Sequence, residues 1–196
     1  METVRQYLRE VLDRAVQPLA CGLLWCRVTP NQVSLMGILL NLVSAALIVD
    51  GQLLLAGLMY LLAGSLDLVD GVLARMAKMA SRFGAFLDST ADRISEGVVF
   101  AAIAYHFARH GYSVDAALTV LALLGSLMVS YTRARAEGLG LECKVGIVTR
   151  GERVVLVALG LMFGLLPAAI YLLLGLTAFS ATQRIVHTLR QLYPQG

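Results

Sequence analysis

The sequence predicts an all-α integral membrane protein with six transmembrane helices, preceded by an amphipathic helix at the membrane surface. Hydrophobic residues make up 58% of the 196 residues and charged residues 15%, with a mean hydropathy of +0.75. Soluble domains are about half apolar and a quarter charged. The apolar residues gather into six runs, each close to the roughly 20 residues that a helix needs to cross a bilayer. We therefore expect membrane lipids as the surroundings and no nucleic-acid partner.

The predicted elements follow the chain in order. Residues 1–28 form the interfacial helix, because charged and apolar residues alternate there at helical spacing. Residues 29–196 form the membrane domain, in which Thr29 is the expected N-cap and Pro30 the first helical residue. Turn signals at DGQ, RHGY and GLLP separate several spans. The six spans are predicted at 31–49, 52–76, 83–107, 113–134, 152–166 and 168–189.

The basic residues predict the orientation. With six spans, one side holds both termini, the 75–82 loop and the 133–153 segment. That side carries every Lys and Arg except Arg109, if Arg93 is counted with the end of the span that it lies nearer to. Basic residues accumulate on the cytoplasmic side of membrane proteins. We therefore expect a multi-pass protein of the cytoplasmic membrane with both termini inside and a site that faces the cytoplasm.

Four aspartates interrupt the second and third spans: Asp67, Asp70, Asp88 and Asp92. Their spacings of three and four residues put each pair on one helix face, and the short KMASR turn predicts that the two helices are antiparallel neighbours. An Asp that faced lipid would cost about 2.5–3.5 kcal/mol, so we expect all four to face inward. Two divalent cations would offset their repulsion, and an all-oxygen ligand set suits Mg²⁺, Mn²⁺ or Ca²⁺ better than zinc.

Small residues accompany the aspartates. Gly71, Ala74 and Gly84 leave room for a bulky group to approach the backbone, and Arg75 adds a positive charge that suits a phosphate. The pattern predicts a paired-metal phosphoryl-transfer centre. The alternative is a divalent-cation transporter lined by the same carboxylates, which gives these small residues and Arg75 no role.

The eight positions of this pattern resemble the signature of the CDP-alcohol phosphotransferase (phosphatidyltransferase) family: Asp67, Asp70, Gly71, Ala74, Arg75, Gly84, Asp88 and Asp92. The resemblance implies a homodimeric membrane enzyme that uses a CDP-diacylglycerol-type lipid donor, or an ether-lipid equivalent, and releases CMP. It implies that Asp67, Asp70 and Asp88 hold one Mg²⁺ or Mn²⁺ ion. It further implies that Asp67, Asp88 and Asp92 hold the second ion, and that Asp92 is the general base.

The donor is expected to bind beside this signature. The resemblance implies nucleotide contacts from the start of the first span, from the second span and from the loop that precedes the third span, and the small residues add two positions. The residues expected to bind the CDP-lipid are Asn31, Gln32, Val33, Ser34, Gly71, Ala74, Arg75, Ser81 and Gly84.

A second group of basic residues concerns the acceptor. Arg133 ends span four, Arg150 and Arg153 lie at the start of span five, and Arg184 lies inside the apolar run of span six. Guanidinium groups from three helices can converge on a phosphate carried by the acceptor. The alternative is that they bind lipid headgroups, which we expect of Arg135 because it lies about 160° around the helix from Arg133.

The segments that carry these arginines resemble the phosphatidylinositol-phosphate synthase branch of the family. The similarity rests on SYTRARAE, on the Arg150–Arg153 segment and on the QR of the last span, although Thr149 and Gly151 depart from the branch pattern. The resemblance implies a phosphorylated polyol, inositol phosphate, as the acceptor. A phosphatidylglycerophosphate synthase that uses glycerol 3-phosphate is the alternative. Glu96, about 80° around span three from Asp88, is expected to support the site or to contact a second subunit.

Overall fold

The computed structural model describes residues 16–18, 20–22, 24–25, 28–77 and 81–193. Most of the predicted interfacial helix lies outside these residues, and the ones described between 16 and 25 are helical. The rest of the described chain forms six α-helices and no strand. The helices are α1 Pro30–Val49, α2 Leu53–Met76, α3 Arg82–Arg109, α4 Ser113–Gly138, α5 Arg150–Met162 and α6 Leu166–Leu192.

The all-helical membrane architecture is confirmed. Four of the described helices, α1, α2, α4 and α6, are long and apolar enough to cross a membrane. Helix α3 carries five charged residues between Arg82 and Glu96, and α5 has only 13 residues. Six predicted spans thus correspond to six helices, and the crossing of the membrane by α3 and α5 stays a prediction.

The six helices pack as a closed ring in the order α1, α2, α5, α6, α4, α3, with α3 returning to α1. A core of large buried side chains fills one part of the ring: Ile48, Phe100, Ile103, Leu161, Ile170 and Leu173. A smaller cluster around Val33, Val69 and Leu73 joins the start of α1 to α2. Many large apolar side chains point outward, as a helix ring requires when its solvent is lipid.

Helices α2 and α5 approach each other closely because of two glycines. A Cβ added to Gly57 would lie 2.8 Å from the carbonyl oxygen of Ala158, and one added to Gly64 would lie 2.7 Å from Cγ1 of Val154. Small residues allow membrane helices to pack at this distance. One turn further along this contact, Arg150, the first residue of α5, lies beside Asp67 of α2.

Several helix ends differ from the sequence prediction, and the connection between α5 and α6 shows the reason most clearly. Helix α5 ends at Met162, four residues before the predicted end, because Gly164 takes a left-handed conformation with φ of 69° that favours glycine. Pro167 lies in the first turn of α6, where its missing N–H leaves no hydrogen bond unmade. At the start of α1, Thr29 is the N-cap as predicted, and its backbone N–H donates to Oε1 of Gln32 at 2.8 Å.

Candidate active site

The aspartates of α2 and α3 meet across a gap. Among the described residues, no Cα atom of α2 lies within 8 Å of a Cα atom of α3, so the two helices are not the packed neighbours that their short connection predicts. Helix α1 packs against both of them instead. The carboxylates reach into the space that α1 keeps open, and this space has room for ions and ligands that a packed helix pair would exclude.

Three of the four carboxylates form one cluster. One oxygen each of Asp67, Asp70 and Asp88 lies within 4.8 Å of the others. Asp70 is buried and the other two are half-buried, which leaves the cluster open to an entering ion. Hard oxygen donors in this number suit Mg²⁺ or Mn²⁺. The residues present therefore fit one divalent cation of the predicted kind.

The fourth carboxylate has a different partner. Nη1 of Arg150 lies 2.5 Å from Oδ1 of Asp67 and 2.8 Å from Oδ1 of Asp92, and Asp92 is also 3.8 Å from Nη1 of Arg93. Asp92 is not part of the three-carboxylate cluster. The structure thus assembles the first predicted ligand set, whereas in the second set Arg150 bridges Asp67 and Asp92.

All four aspartates line one small cavity of about 270 Å³, here called the aspartate cavity. A cleft of about 1010 Å³, the glycine cleft, shares Ser34, Asp70 and Asp88 with it. A second cleft of about 950 Å³, the arginine cleft, shares Asp92 and Arg150 with it. The two clefts have no lining residue in common.

The glycine cleft collects most residues expected to bind the donor. Six of the nine line it: Asn31, Ser34, Gly71, Ala74, Ser81 and Gly84. The cleft also lies at the N-terminal ends of α1 and α3, since Pro30 and Ser81 line it and Ser81 caps α3 by accepting from the backbone N–H of Gly84 at 3.0 Å. Two helix N-termini favour a negatively charged group such as a diphosphate.

Three expected donor residues do not line the glycine cleft: Gln32, Val33 and Arg75. Gln32 takes part in the cap of α1, and Val33 is 1% exposed in the small apolar cluster. The Nη1 atom of Arg75 lies 3.9 Å from a Cβ placed on Gly71, so the side chain is near the cleft without lining it. Consecutive helical residues point in directions 100° apart, which is why the run 31–34 cannot face one cleft as a unit.

The arginine cleft brings together all four arginines expected to bind the acceptor. Arg133, Arg150, Arg153 and Arg184 line it together with Asp92. It also contains Arg93, which the distribution of basic residues predicts only as a cytoplasmic-side charge, although its position directly after Asp92 also indicates a place in the site. Charge and geometry together make this cleft suited to a phosphate beside a carboxylate.

Two of these arginines are tied to other parts of the protein. Nε and Nη2 of Arg153 donate to the two carboxylate oxygens of Glu96 at 2.9 and 3.0 Å, and both side chains are almost fully buried. Nε of Arg184 donates to the carbonyl oxygen of Val145 at 2.8 Å, and its Nη1 donates to that of Val129. Glu96, expected to support the site or to contact a second subunit, is thus the buried partner of Arg153, and its role in the site stays a prediction.

Residues 139–149 cross from α4 to α5 without helical structure and are fastened to α6. Oγ of Ser180 accepts from the backbone N–H groups of Ile147 and Val148 at 3.2 and 3.3 Å, and Gln191 donates to the carbonyl oxygen of Glu142 at 3.0 Å. Arg184 adds its bond to Val145. This connection delivers Thr149, the N-cap of α5, and with it Arg150 to the junction of the aspartate cavity and the arginine cleft.

Known proteins resemble this chain over nearly its whole length. Residues 27–187 match the family model described as CDP-alcohol phosphatidyltransferase. Archaetidylinositol phosphate synthase of Methanothermobacter thermautotrophicus is 34% identical over 197 residues, which cover 97% of this chain and 97% of that protein.

Two solved structures of one synthase resemble this chain in fold and in sequence. The crystal structure of Mycobacterium tuberculosis phosphatidylinositol phosphate synthase with CDP-DAG bound has a TM-score of 0.80 at 31% identity, covering 90% of this chain and 94% of that one. The structure of the same synthase in complex with manganese and citrate has a TM-score of 0.80 at 32% identity, covering 88% of each chain.

Proposed function

The chain belongs to the CDP-alcohol phosphatidyltransferase family, and from this premise we propose that it transfers the phosphatidyl group of CDP-diacylglycerol, or an ether-lipid equivalent, onto inositol phosphate. CMP is the second product. The observation that carries the choice of a phosphorylated acceptor is the arginine cleft, in which five arginines lie beside Asp92. Similarity to synthases of phosphatidylinositol phosphate and archaetidylinositol phosphate supports the same choice.

The glycine cleft is the proposed donor site. The N-terminal ends of α1 and α3 attract the diphosphate, and Gly71 and Gly84 let it approach the backbone because they have no side chain. Asp67, Asp70 and Asp88 would hold Mg²⁺ or Mn²⁺, and Asp92 is assigned to the second of the two ions. A bound divalent cation neutralises the charge that develops on the leaving CMP. A relative solved with CDP-DAG and with manganese supports both assignments.

Asp92 is the proposed general base. It lines both the aspartate cavity and the arginine cleft, so an acceptor hydroxyl in the arginine cleft can reach it. Asp92 takes the hydroxyl proton, the acceptor oxygen bonds to the phosphorus that carries the lipid, and the bond from that phosphorus to the CMP oxygen breaks. Arg150, 2.8 Å from Asp92, keeps the carboxylate oriented towards this junction.

The acceptor phosphate is proposed to bind Arg133, Arg150, Arg153 and Arg184. Glu96 holds the guanidinium of Arg153 in a fixed orientation, which lowers the entropy lost when a phosphate binds. Glycerol 3-phosphate, the alternative acceptor, carries the same phosphate and can use the same arginines. A divalent-cation transporter, the more distant alternative, gives the arginine cleft no role.

The membrane arrangement is part of the proposal. We assign six membrane spans to the chain, and we place both termini and the site on the cytoplasmic side. The positive-inside distribution of Lys and Arg supports this orientation. A homodimer is proposed from the family resemblance.

An acceptor panel tests this function. Purified protein with CDP-diacylglycerol and Mn²⁺ is expected to release CMP faster with inositol phosphate than with glycerol 3-phosphate, and poorly with free inositol, which lacks the phosphate. Arg133→Ala should lower kcat/KM for the acceptor by about 10- to 150-fold, since a charge-assisted hydrogen bond contributes about 1.5–3 kcal/mol. Arg133→Lys should restore only part of the loss, because the planar fork is missing.

Arg133 is the best of the four arginines to change. It is exposed and its side chain pairs with Glu137 at 2.8 Å, whereas removing Arg153 would leave the buried Glu96 without its partner, at a cost of about 3–5 kcal/mol in stability. Arg135→Ala is the matched control, because Arg135 lies on the same helix and does not line the arginine cleft. If free inositol were used efficiently and Arg133→Ala left its use unchanged, the phosphate-binding role would be wrong. These arginines would then be assigned to lipid-headgroup binding.

A further inference from the structure

Ser34 and Asp70 form a hydrogen bond between two helices. Oγ of Ser34, on α1, donates to Oδ2 of Asp70, on α2, at 2.6 Å. Asp70 is 6% exposed, the least exposed of the three clustered carboxylates. The Ser34 hydroxyl also lies 3.2 Å from the carbonyl oxygen of Pro30, but a hydroxyl has one proton, and the shorter bond to a carboxylate is the stronger one.

This hydrogen bond lies where the proposed metal site and the proposed donor site adjoin. Ser34 and Asp70 both line the aspartate cavity and the glycine cleft. The chain around Ser34 is held in place, since Val33 packs with Val69 and Leu73 in the small cluster that joins α1 to α2. The hydroxyl is therefore presented to Asp70 from a fixed position.

We propose that Ser34 is a positioning residue that orients the Asp70 carboxylate for a divalent cation, in addition to its place in the wall of the donor cleft. A carboxylate on a free side chain turns about two bonds, whereas a hydrogen bond to one oxygen fixes the plane and directs the group. Partners of this kind, which touch a metal ligand rather than the metal, change metal affinity by about 10- to 100-fold when removed. The inference rests on the proposed function only in requiring that the aspartates hold a divalent cation.

A role confined to the donor makes a different prediction. If Ser34 only contacted the nucleotide, its removal would raise KM for CDP-diacylglycerol and leave the affinity for metal alone unchanged. If it oriented Asp70, Mn²⁺ would bind more weakly even with no donor present. Saturating Mn²⁺ would then restore most of the turnover.

The experiment is a Mn²⁺ titration of the purified full-length protein in detergent, followed by electron paramagnetic resonance of the free ion and without any nucleotide. Ser34→Ala is expected to bind Mn²⁺ about 10- to 100-fold more weakly than the wild type. Ser34→Thr, which keeps the hydroxyl, should retain the wild-type affinity. Ser65→Ala is the matched control, because the exposed Ser65 hydroxyl donates to the carbonyl oxygen of Leu61 in its own helix at 2.9 Å.

The Mn²⁺ affinities of the variants and of the wild type test the role of Ser34 and the proposed metal-dependent function separately. Wild-type Mn²⁺ affinity in Ser34→Ala overturns the inference and leaves the proposed function intact, as does a loss in Ser34→Thr equal to that in Ser34→Ala. A wild-type protein that binds no Mn²⁺ overturns the inference and the proposed metal-dependent function together. Thermal unfolding of each variant in the same detergent separates a change in affinity from a loss of fold.

Discussion

The Asp88→Asn variant is expected to release no measurable CMP and to bind Mn²⁺ more than about 100-fold more weakly than the wild type. Loss of a residue that only hydrogen-bonds to a metal ligand lowers metal affinity by up to about 100-fold, and loss of a ligand should cost more. Asp88 contributes an oxygen to the three-carboxylate cluster and is only half-buried. The amide has the same size, so the fold should survive while one negative charge and one strong donor are lost. Excess EDTA should stop the wild-type enzyme in the same way.

Asp50→Asn is the control for this experiment. Asp50 is exposed and caps the C-terminal end of α1, away from the end that lines the site. It should bind Mn²⁺ and release CMP as the wild type does. Undiminished Mn²⁺ binding in Asp88→Asn would exclude Asp88 from the metal site, and turnover in excess EDTA would contradict metal-dependent transfer altogether.

The Asp92→Asn variant should separate catalysis from binding. Its kcat is expected to fall by about 100- to 10,000-fold, the usual contribution of a general base. Donor affinity should change little, because the cluster of Asp67, Asp70 and Asp88 and the glycine cleft do not include Asp92. Calorimetric titration with CDP-diacylglycerol in detergent and single-turnover CMP release measure the two quantities on one preparation.

Two results would change the assignment of Asp92. A near-normal kcat in Asp92→Asn would remove it as the base. A loss of donor and Mn²⁺ binding as large as that in Asp88→Asn would make it chiefly a metal ligand. Since Arg150 still has Asp67 as a partner at 2.5 Å, the substitution should leave the start of α5 in place.

Much of the fold was predictable because the signals are local. The predicted apolar runs correspond to the six helices, four of which are long and apolar enough to cross a bilayer, and a helical period put the aspartates of each helix on one face. The arginine cleft was predictable as well, since Arg184 stands out as a charge within an apolar run. These predictions need only the helical repeat and the cost of placing charge in lipid.

What the sequence could not predict depends on which helices are neighbours. A short connection between α2 and α3 suggested direct packing, yet α1 separates their backbones. Glu96 and Arg153 are 57 positions apart, and no local pattern connects them. Arg184 donates to backbone carbonyl oxygens. Because every residue has a carbonyl oxygen, the sequence does not indicate which residues accept these bonds.

The two clefts share no lining residue, yet each shares residues with the aspartate cavity. With the donor in the glycine cleft and the acceptor in the arginine cleft, as proposed, both can be present together, and neither has to leave before the other enters. The lipid phosphate then need not be stored on a protein side chain between two half-reactions. One displacement within a ternary complex follows from this arrangement, with inversion of configuration at the phosphorus. A donor made chiral at that phosphorus would record net retention if two displacements occurred instead.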